Sequence, residues 1–254
     1  LDDPYHPHNL SFYKKMLYSA SVAMAALSFS MGSSMFSQGN KEVMQLYHIG
    51  ESVVALGTSL FVFGFSAGPV IHGPLSELFG RKPIMVISCF GYVCFLFGSA
   101  TSKDLHTLML CRFFSGFTGS APFVVGPAVM VDLFRARVRG IAMSVFVSVL
   151  FGGPMIAPVL GGFIVKNPSM GWRWTLYMSG IIGCVSLVMN AFFLQETHHP
   201  VLLVRKAELL RRNTGNWGIF AAHEEVSLSL SEIVRNNIMR PLKLLFTCLL
   251  YTSP

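Results

Sequence analysis

Six long stretches without a charged side chain dominate this sequence: Met16 to Asn40, Ser52 to Ser76, Pro83 to Ser102, Phe113 to Val131, Gly140 to Val165, and Trp174 to Gln195. Crossing the roughly 30 Å hydrocarbon core of a bilayer takes about 20 helical residues, and each stretch is close to that length. Each is apolar nearly all round, so burial in a water-facing core would have to explain six such runs in a row. In lipid every backbone N–H and C=O must be satisfied internally, so runs of this kind are helices rather than open strands. The sequence therefore predicts an all-α polytopic membrane protein with six spans.

Composition agrees. Charged residues make up 12% of the 254 residues and hydrophobic ones 52%, against about 25% charged in an ordinary soluble domain. The net charge of +7 would suit nucleic acid in a soluble protein. Here the basic residues cluster between apolar runs and read as topology signals, so no nucleic-acid partner is expected. With a cytoplasmic N-terminus, the inner segments hold Lys14, Lys15, Arg81, Lys82, Arg135, Arg137, Arg139, Arg205, Lys206, Arg211 and Arg212. The outer loops hold only Lys41, Lys103, Lys166 and Arg173. That excess places both ends of the six-span set in the cytoplasm.

The expected organisation is a cytoplasmic tail over residues 1–15, a six-helix bundle over 16–195, a cytoplasmic linker over 196–240, and the truncated start of a seventh span over 241–254. The opening "LDDPYHPHNL" is the wrong start for a secretory leader, and Leu1 is not an initiator methionine, so an incomplete N-terminus is expected. Cys89, Cys94, Cys111, Cys184 and Cys248 form no CxxC and no zinc spacing. His198 and His199 lack further ligands nearby, so no metal is expected. No phosphate-cradling loop ending in Lys-Ser or Lys-Thr is present, and no catalytic triad competes, so no cofactor and no enzymatic activity are expected.

Three stretches carry the functional signal. "GPLSELFGRKP", Gly73 to Pro83, is a tight turn between the second and third spans. Glu77 falls near a helix C-terminus, where the helix dipole disfavours an acid, so it calls for a partner. Gly73, Leu75, Glu77, Gly80, Arg81 and Lys82 resemble the signature Gly-x-Leu-x-Asp-x-x-Gly-Arg-Arg/Lys of the major facilitator superfamily, with glutamate in place of the commoner aspartate. The form "PLSELFGRKP" is similar to that of fungal drug:proton antiporters with twelve spans. The resemblance implies a charge-relay cluster of Glu77, Arg81 and Asp132, the last lying in "VMVDLF".

"LMLCRFFSGFTGSAPFVVGP" places Arg112 inside an apolar stretch, where an arginine is costly and is paired, cavity-lining or functional. Snorkelling to the outer interface is the structural alternative. Arg112, Gly116 and Gly119 resemble the family motif of the fourth span, which implies a role for Arg112 in proton transfer or in tuning a carboxylate. "GGPMIAPVLGGF" spaces Gly153, Ala157 and Gly161 by four, a stripe that lets helices approach closely, and adds Pro154 and Pro158, which bend or soften the helix. It resembles the antiporter motif Gly-Pro-x-x-Gly-Pro-x-x-Gly-Gly, matched by Gly153, Pro154, Pro158, Gly161 and Gly162, with Ala157 in place of the middle glycine. His72 reads as a helix-end contact.

The resemblance implies the six-helix N-terminal half of a major facilitator fold, whose missing partner is a C-terminal six-helix half. It implies proton-coupled export of drugs, polyamines or similar small organic molecules by alternating access, from the plasma membrane or an internal membrane such as the vacuole. The partners are then a small organic substrate, protons and the lipid bilayer. The alternatives are a nutrient symporter of the same fold, against which "ETHHPVLL" after the sixth span argues, and a non-transporting fragment.

Overall fold

The computed structural model describes residues 7–167, 170–218 and 220–221. After a short 3-10 turn at Pro7–Asn9, the helices are α1 (Phe12–Met35), α2 (Asn40–Tyr47), α3 (Glu51–Phe79), α4 (Arg81–Thr101), α5 (Leu105–Gly119), α6 (Ala121–Leu133), α7 (Ala136–Lys166), α8 (Arg173–Phe192) and α9 (His199–Thr214). Among the described residues there is no strand. Six segments of the described residues are long and apolar enough to cross a membrane: Phe12–Tyr47, Glu51–Phe79, Arg81–Thr101, Leu105–Leu133, Ala136–Lys166 and Arg173–Phe192. Residues 222–254, which include the expected seventh span, lie outside the described set.

Two spans are interrupted. In the first, a 3-10 turn at Phe36–Gly39 joins α1 to α2. In the fourth, Ser120 separates α5 from α6. The cause of the second break is legible in the sequence. Pro122 has no N–H to donate to the Thr118 carbonyl one turn back, and the Ser88 hydroxyl of α4 donates to that carbonyl instead. A freed backbone acceptor inside a membrane is thus satisfied by a neighbouring helix. Pro154 and Pro158 do not break α7, which runs unbroken from Ala136 to Lys166.

The fourth span begins at Leu105, eight residues before the apolar stretch that marks it in the sequence. Arg112 is therefore a mid-helix residue, and the stretch ended at a charge that the fold absorbs.

In the first compact unit, which ends at Thr197, α1 lies against α7 and α8, α4 lies against α5 and α8, and α3 packs along α5. One apolar cluster joins Tyr18, Val22, Met85, Val125, Met130, Leu133 and Leu194 toward the end that carries Arg81. A second joins Phe29, Phe36, Phe61, Tyr92, Leu96, Leu108, Trp172 and Leu176 toward the other end. At that far end the Glu42 carboxylate accepts the Trp172 N–H at 2.6 Å, which fixes the entry into α8. The second unit begins at His198. Its helix α9 ends at Gly215 with φ 66°, a left-handed cap that only glycine adopts without cost, and carries an exposed Glu208–Arg212 pair at 2.6 Å.

Candidate functional site

The turn between α3 and α4 consists of one residue, Gly80, with φ 102° and ψ 164°. That backbone is closed to residues with a side chain. There is also no room: a Cβ at Gly80 would collide with the Glu196 carboxylate. The reversed backbone leaves the first N–H groups of α4 free, and Glu196 takes them. Its Oε1 accepts from Arg81 N at 2.8 Å and from Thr197 N at 3.0 Å, and its Oε2 accepts from Lys82 N at 3.3 Å. A carboxylate on a helix N-terminus is favoured by the helix dipole as well as by the hydrogen bonds.

The Arg81 side chain turns the other way. It is 7% exposed. Its Nη1 donates to Ser76 Oγ at 2.7 Å, and its Nε pairs with Asp132 Oδ2 at 3.4 Å. Arg81 and Asp132 thus meet as the motif implies, tying the start of α4 to the end of α6. Glu77 does not join them. It is exposed, with no hydrogen bond or ion pair among the described residues. The reason is helical phase: Ser76 occupies the face toward Arg81, and the next residue points about 100° away around α3. The second carboxylate at this corner is Glu196, which lies in "QETHH" and reads as linker in the sequence.

The Glu196 cap makes a direct prediction. Glu196→Gln keeps one acceptor and loses the charge, so the bundle should lose about 1–3 kcal/mol of stability, read as a lower thermal midpoint of the purified protein. An unchanged midpoint would mean that water caps α4 equally well.

Arg112 does not snorkel. It is 0% exposed, enclosed where α1, α3 and α5 meet. Its Nη1 donates to the Gly32 carbonyl at 3.1 Å and its Nε to the Gly57 carbonyl at 3.3 Å. The guanidinium carbon lies 4.4 Å from the Phe36 ring centroid and 4.7 Å from that of Phe61. Two aromatic faces replace part of the lost hydration, each worth up to about 2 kcal/mol for a desolvated cation. Nη2 has no hydrogen-bond partner among the described residues.

Glycine makes this enclosure. A Cβ at Gly32 would strike the Tyr92 hydroxyl, and one at Gly57 would strike the Phe36 ring. Further along the α3–α5 contact, a Cβ at Gly64 would strike the Phe113 carbonyl, one at Gly68 Ser120, and one at Gly116 the Phe61 carbonyl. Of these, the family motif draws attention only to Gly116. The spacing of Gly57, Gly64 and Gly68 by seven and four marks one face of α3, which is the signal that would have found the rest. Gly73, by contrast, has only an ordinary 3.5 Å neighbour in Val124, so space does not require glycine there.

The α7 stripe packs as its spacing suggests. A Cβ at Gly153 would strike Ser30, one at Gly161 would meet Gln38 at 2.8 Å, and Ala157 between them is fully buried. Pro154, Pro158 and Gly162 lie beside this seam and are half-buried, and a Cβ at Gly162 would meet nothing within 4 Å. Where α1, α3, α6 and α7 approach, a cleft of about 200 Å³ is lined by Phe29, Phe61, Phe65, Phe123 and Phe151, together with Ser30, Ser33 and Pro154. The Phe29 ring stacks on Phe61 at 5.0 Å and meets Phe123 edge-on at 5.3 Å. His72, a helix-end contact by its sequence, lies seven residues before the end of α3 and bonds to Ser120 at 3.2 Å.

Comparison with known proteins places this arrangement in a family. Residues 22–253 match the Major Facilitator Superfamily. The chain is 65% identical over 246 residues to the major facilitator superfamily multidrug transporter FLU1 of Candida albicans, covering 97% of this chain and 40% of that protein. It is 46% identical to the multidrug transporter TPO1_1 of Candida glabrata, covering 97% of this chain and 43% of that protein. The chain thus spans less than half the length of these curated relatives. Among solved structures, the inward open conformation of the xylose transporter XylE from E. coli matches with a TM-score of 0.67 at 18% identity, over 85% of this chain and 56% of that one, a likeness of fold alone. A family match along nearly the whole chain, carried on a six-span helical bundle, makes this an integral membrane protein of the Major Facilitator Superfamily, a family of transporters rather than enzymes.

Proposed function

We propose that the chain is the N-terminal half of a proton-coupled exporter of drugs or similar small organic molecules, which works by alternating access with a C-terminal six-helix half. The observation that carries the cargo class is the cleft of α1, α3, α6 and α7. Five phenylalanines and two serine hydroxyls line it, with no carboxylate and no ammonium among the described residues of the lining. Such a wall suits aromatic, mostly apolar molecules and fixes them by few polar contacts. The multidrug relatives support the same reading.

In this scheme the N-terminus and α9 face the cytoplasm, the excess of Lys and Arg at the Arg81 end supporting that side. The membrane is the plasma membrane. Residues 196–240 serve as the linker to the second half, with Glu196 itself engaged in the first. The Arg81–Asp132 pair, Ser76 and Glu196 hold α3, α4, α6 and the end of α8 together as the halves rock around the site. Exposed Glu77 is an acid at that end without an ion pair among the described residues. Arg112 acts in the transport cycle at the opposite level of the bundle, where α1, α3 and α5 meet beside the cleft.

The test uses the full-length protein, produced in cells stripped of their own exporters. A panel of aromatic dyes, ethidium among them, should accumulate severalfold less than in control cells, and a protonophore should restore accumulation. Dye levels that match the control across the panel would overturn the reading. Within it, Arg81→Ala should slow turnover about tenfold, or ~1.4 kcal/mol in the limiting barrier, and change cargo affinity by about twofold at most. Weaker binding at unchanged turnover would mean that Arg81 belongs to the cargo site.

A further inference from the structure

The spans of this half contain no carboxylate away from their ends: Glu42, Glu51, Glu77, Asp104, Asp132 and Glu196 all lie in terminal turns or just beyond them. His8, His48 and His106 likewise sit outside or at the first turn of a span. His72 is the exception. It is 9% exposed, lies within α3, and its imidazole belongs to the one side-chain type whose ordinary charge change falls at about pH 5 to 8.

Its setting is specific. Nδ1 lies 3.2 Å from Ser120 Oγ, and Ser120 is the residue that separates α5 from α6. The Ser120 hydroxyl also lies 2.8 Å from the Phe117 carbonyl, and the Gly68 carbonyl one turn back is a second hydrogen-bond partner of the His72 ring. The neutral ring carries one hydrogen, so one of its two nitrogens is free to take up a proton. The ring packs 5.6 Å from that of Phe117. Close approach is built in, since Gly68, one turn before His72, has no room for a Cβ against Ser120 and the Phe117 carbonyl.

Among the described residues no counter-ion faces the ring. From Phe113 to Val131 the fourth span holds no charged residue. Arg112 of α5 sits at the level of Gly57, fifteen residues before His72 on α3 and about 22 Å away along the helix. The nearest charges on α3 and α4 are Glu77 and, at the start of α4, Arg81 and Lys82. Of the other titratable groups on α4, Tyr92 is engaged with the Ser28 carbonyl and Cys89 lies in the apolar cluster. On α1 the charges are Lys14 and Lys15, at its start.

We propose that His72 is a proton-binding site of this half, and that its protonation loosens the contact of α3 with the break in the fourth span. The step is simple in its balance. The lone pair of the unprotonated ring nitrogen takes a proton from hydronium, leaving water, and no other covalent bond changes. The new imidazolium has only neutral partners, the Ser120 hydroxyl and the Gly68 carbonyl, so it is stabilised further by water that enters between α3 and α6. Proton binding thereby favours the wetter arrangement of that seam. This deepens the export reading, and rests on it for the purpose of the proton, though its test needs no cargo.

The experiment uses the full-length protein in nanodiscs. Ring-nitrogen NMR of labelled histidine, with His72→Gln used to assign the signal, should show His72 taking up a proton as the pH is lowered. Hydrogen exchange over residues 117–123, corrected for the intrinsic pH effect, should speed up at least about threefold as that proton is taken up in wild type. His72→Gln keeps a donor for Ser120 and takes up no proton, so its exchange should be flat. An untitrated His72, or the same pH response in His72→Gln, overturns the proposal. If His72→Gln does not fold, the wild-type exchange and a titration assigned through Ser120→Ala decide. A protein that shows the titration but exports no dye overturns the export reading alone.

Discussion

Arg112→Ala in the full-length protein should cut dye export at least about tenfold, ~1.4 kcal/mol in the limiting barrier, while leaving the protein inserted and folded. The argument turns on what the arginine costs. It is fully buried, with two carbonyl acceptors, two aromatic faces and one nitrogen without a partner among the described residues. The Gly32 and Gly57 carbonyls lie within helices and are not orphaned when the guanidinium leaves. Replacing a buried charge by a well-packed apolar side chain is often neutral or stabilising. Arg112→Leu should therefore match or exceed the wild-type thermal midpoint, and should export no better than Arg112→Ala. If either variant is well expressed and exports normally, Arg112 has no part in transport. If both unfold, its role is to hold α1 and α3 on α5.

Which parts of this were legible in the sequence follows from how each signal is encoded. The spans are written as uncharged length, and they read well except where a charge is absorbed. Arg112 made the fourth span look short at its start, because hydropathy does not record the carbonyls and rings that receive a guanidinium. The Arg81–Asp132 pair was legible because both residues fall at span ends on the same side. Glu196 was legible by that same argument, since the sixth span ends where the third begins, yet an acid followed by "THH" looks like solvent-facing linker. Glu77 was misplaced relative to Arg81 for a different reason. Motif spacing fixes its depth but not its phase, and one residue of phase gives the inner face to Ser76. The break at Ser120 could have been placed from Pro122, whereas the donor that heals it, Ser88, comes from a contact no local pattern records.

The largest loss of stability should come from a residue with no side chain. Gly116→Leu on α5 should lower stability by on the order of 3 kcal/mol or more, read as a markedly lower thermal midpoint or as aggregation on size exclusion. At Gly116 the obstacle is the Phe61 carbonyl, that is, the backbone of α3. A backbone has no rotamer to change, so the helices themselves must separate. The damage then spreads along the seam, because Gly64 lies on the Phe113 backbone and Gly68 on Ser120. Separation stretches the Arg112 bond to the Gly57 carbonyl and the His72 bond to Ser120 together. Gly162→Leu supplies the contrast. It adds the same side chain to a motif glycine of α7 with open space around it, so the bundle should keep its midpoint. Equal stability of the two variants would mean that α3 and α5 are not held by backbone contact, and the enclosure of Arg112 would need another cause.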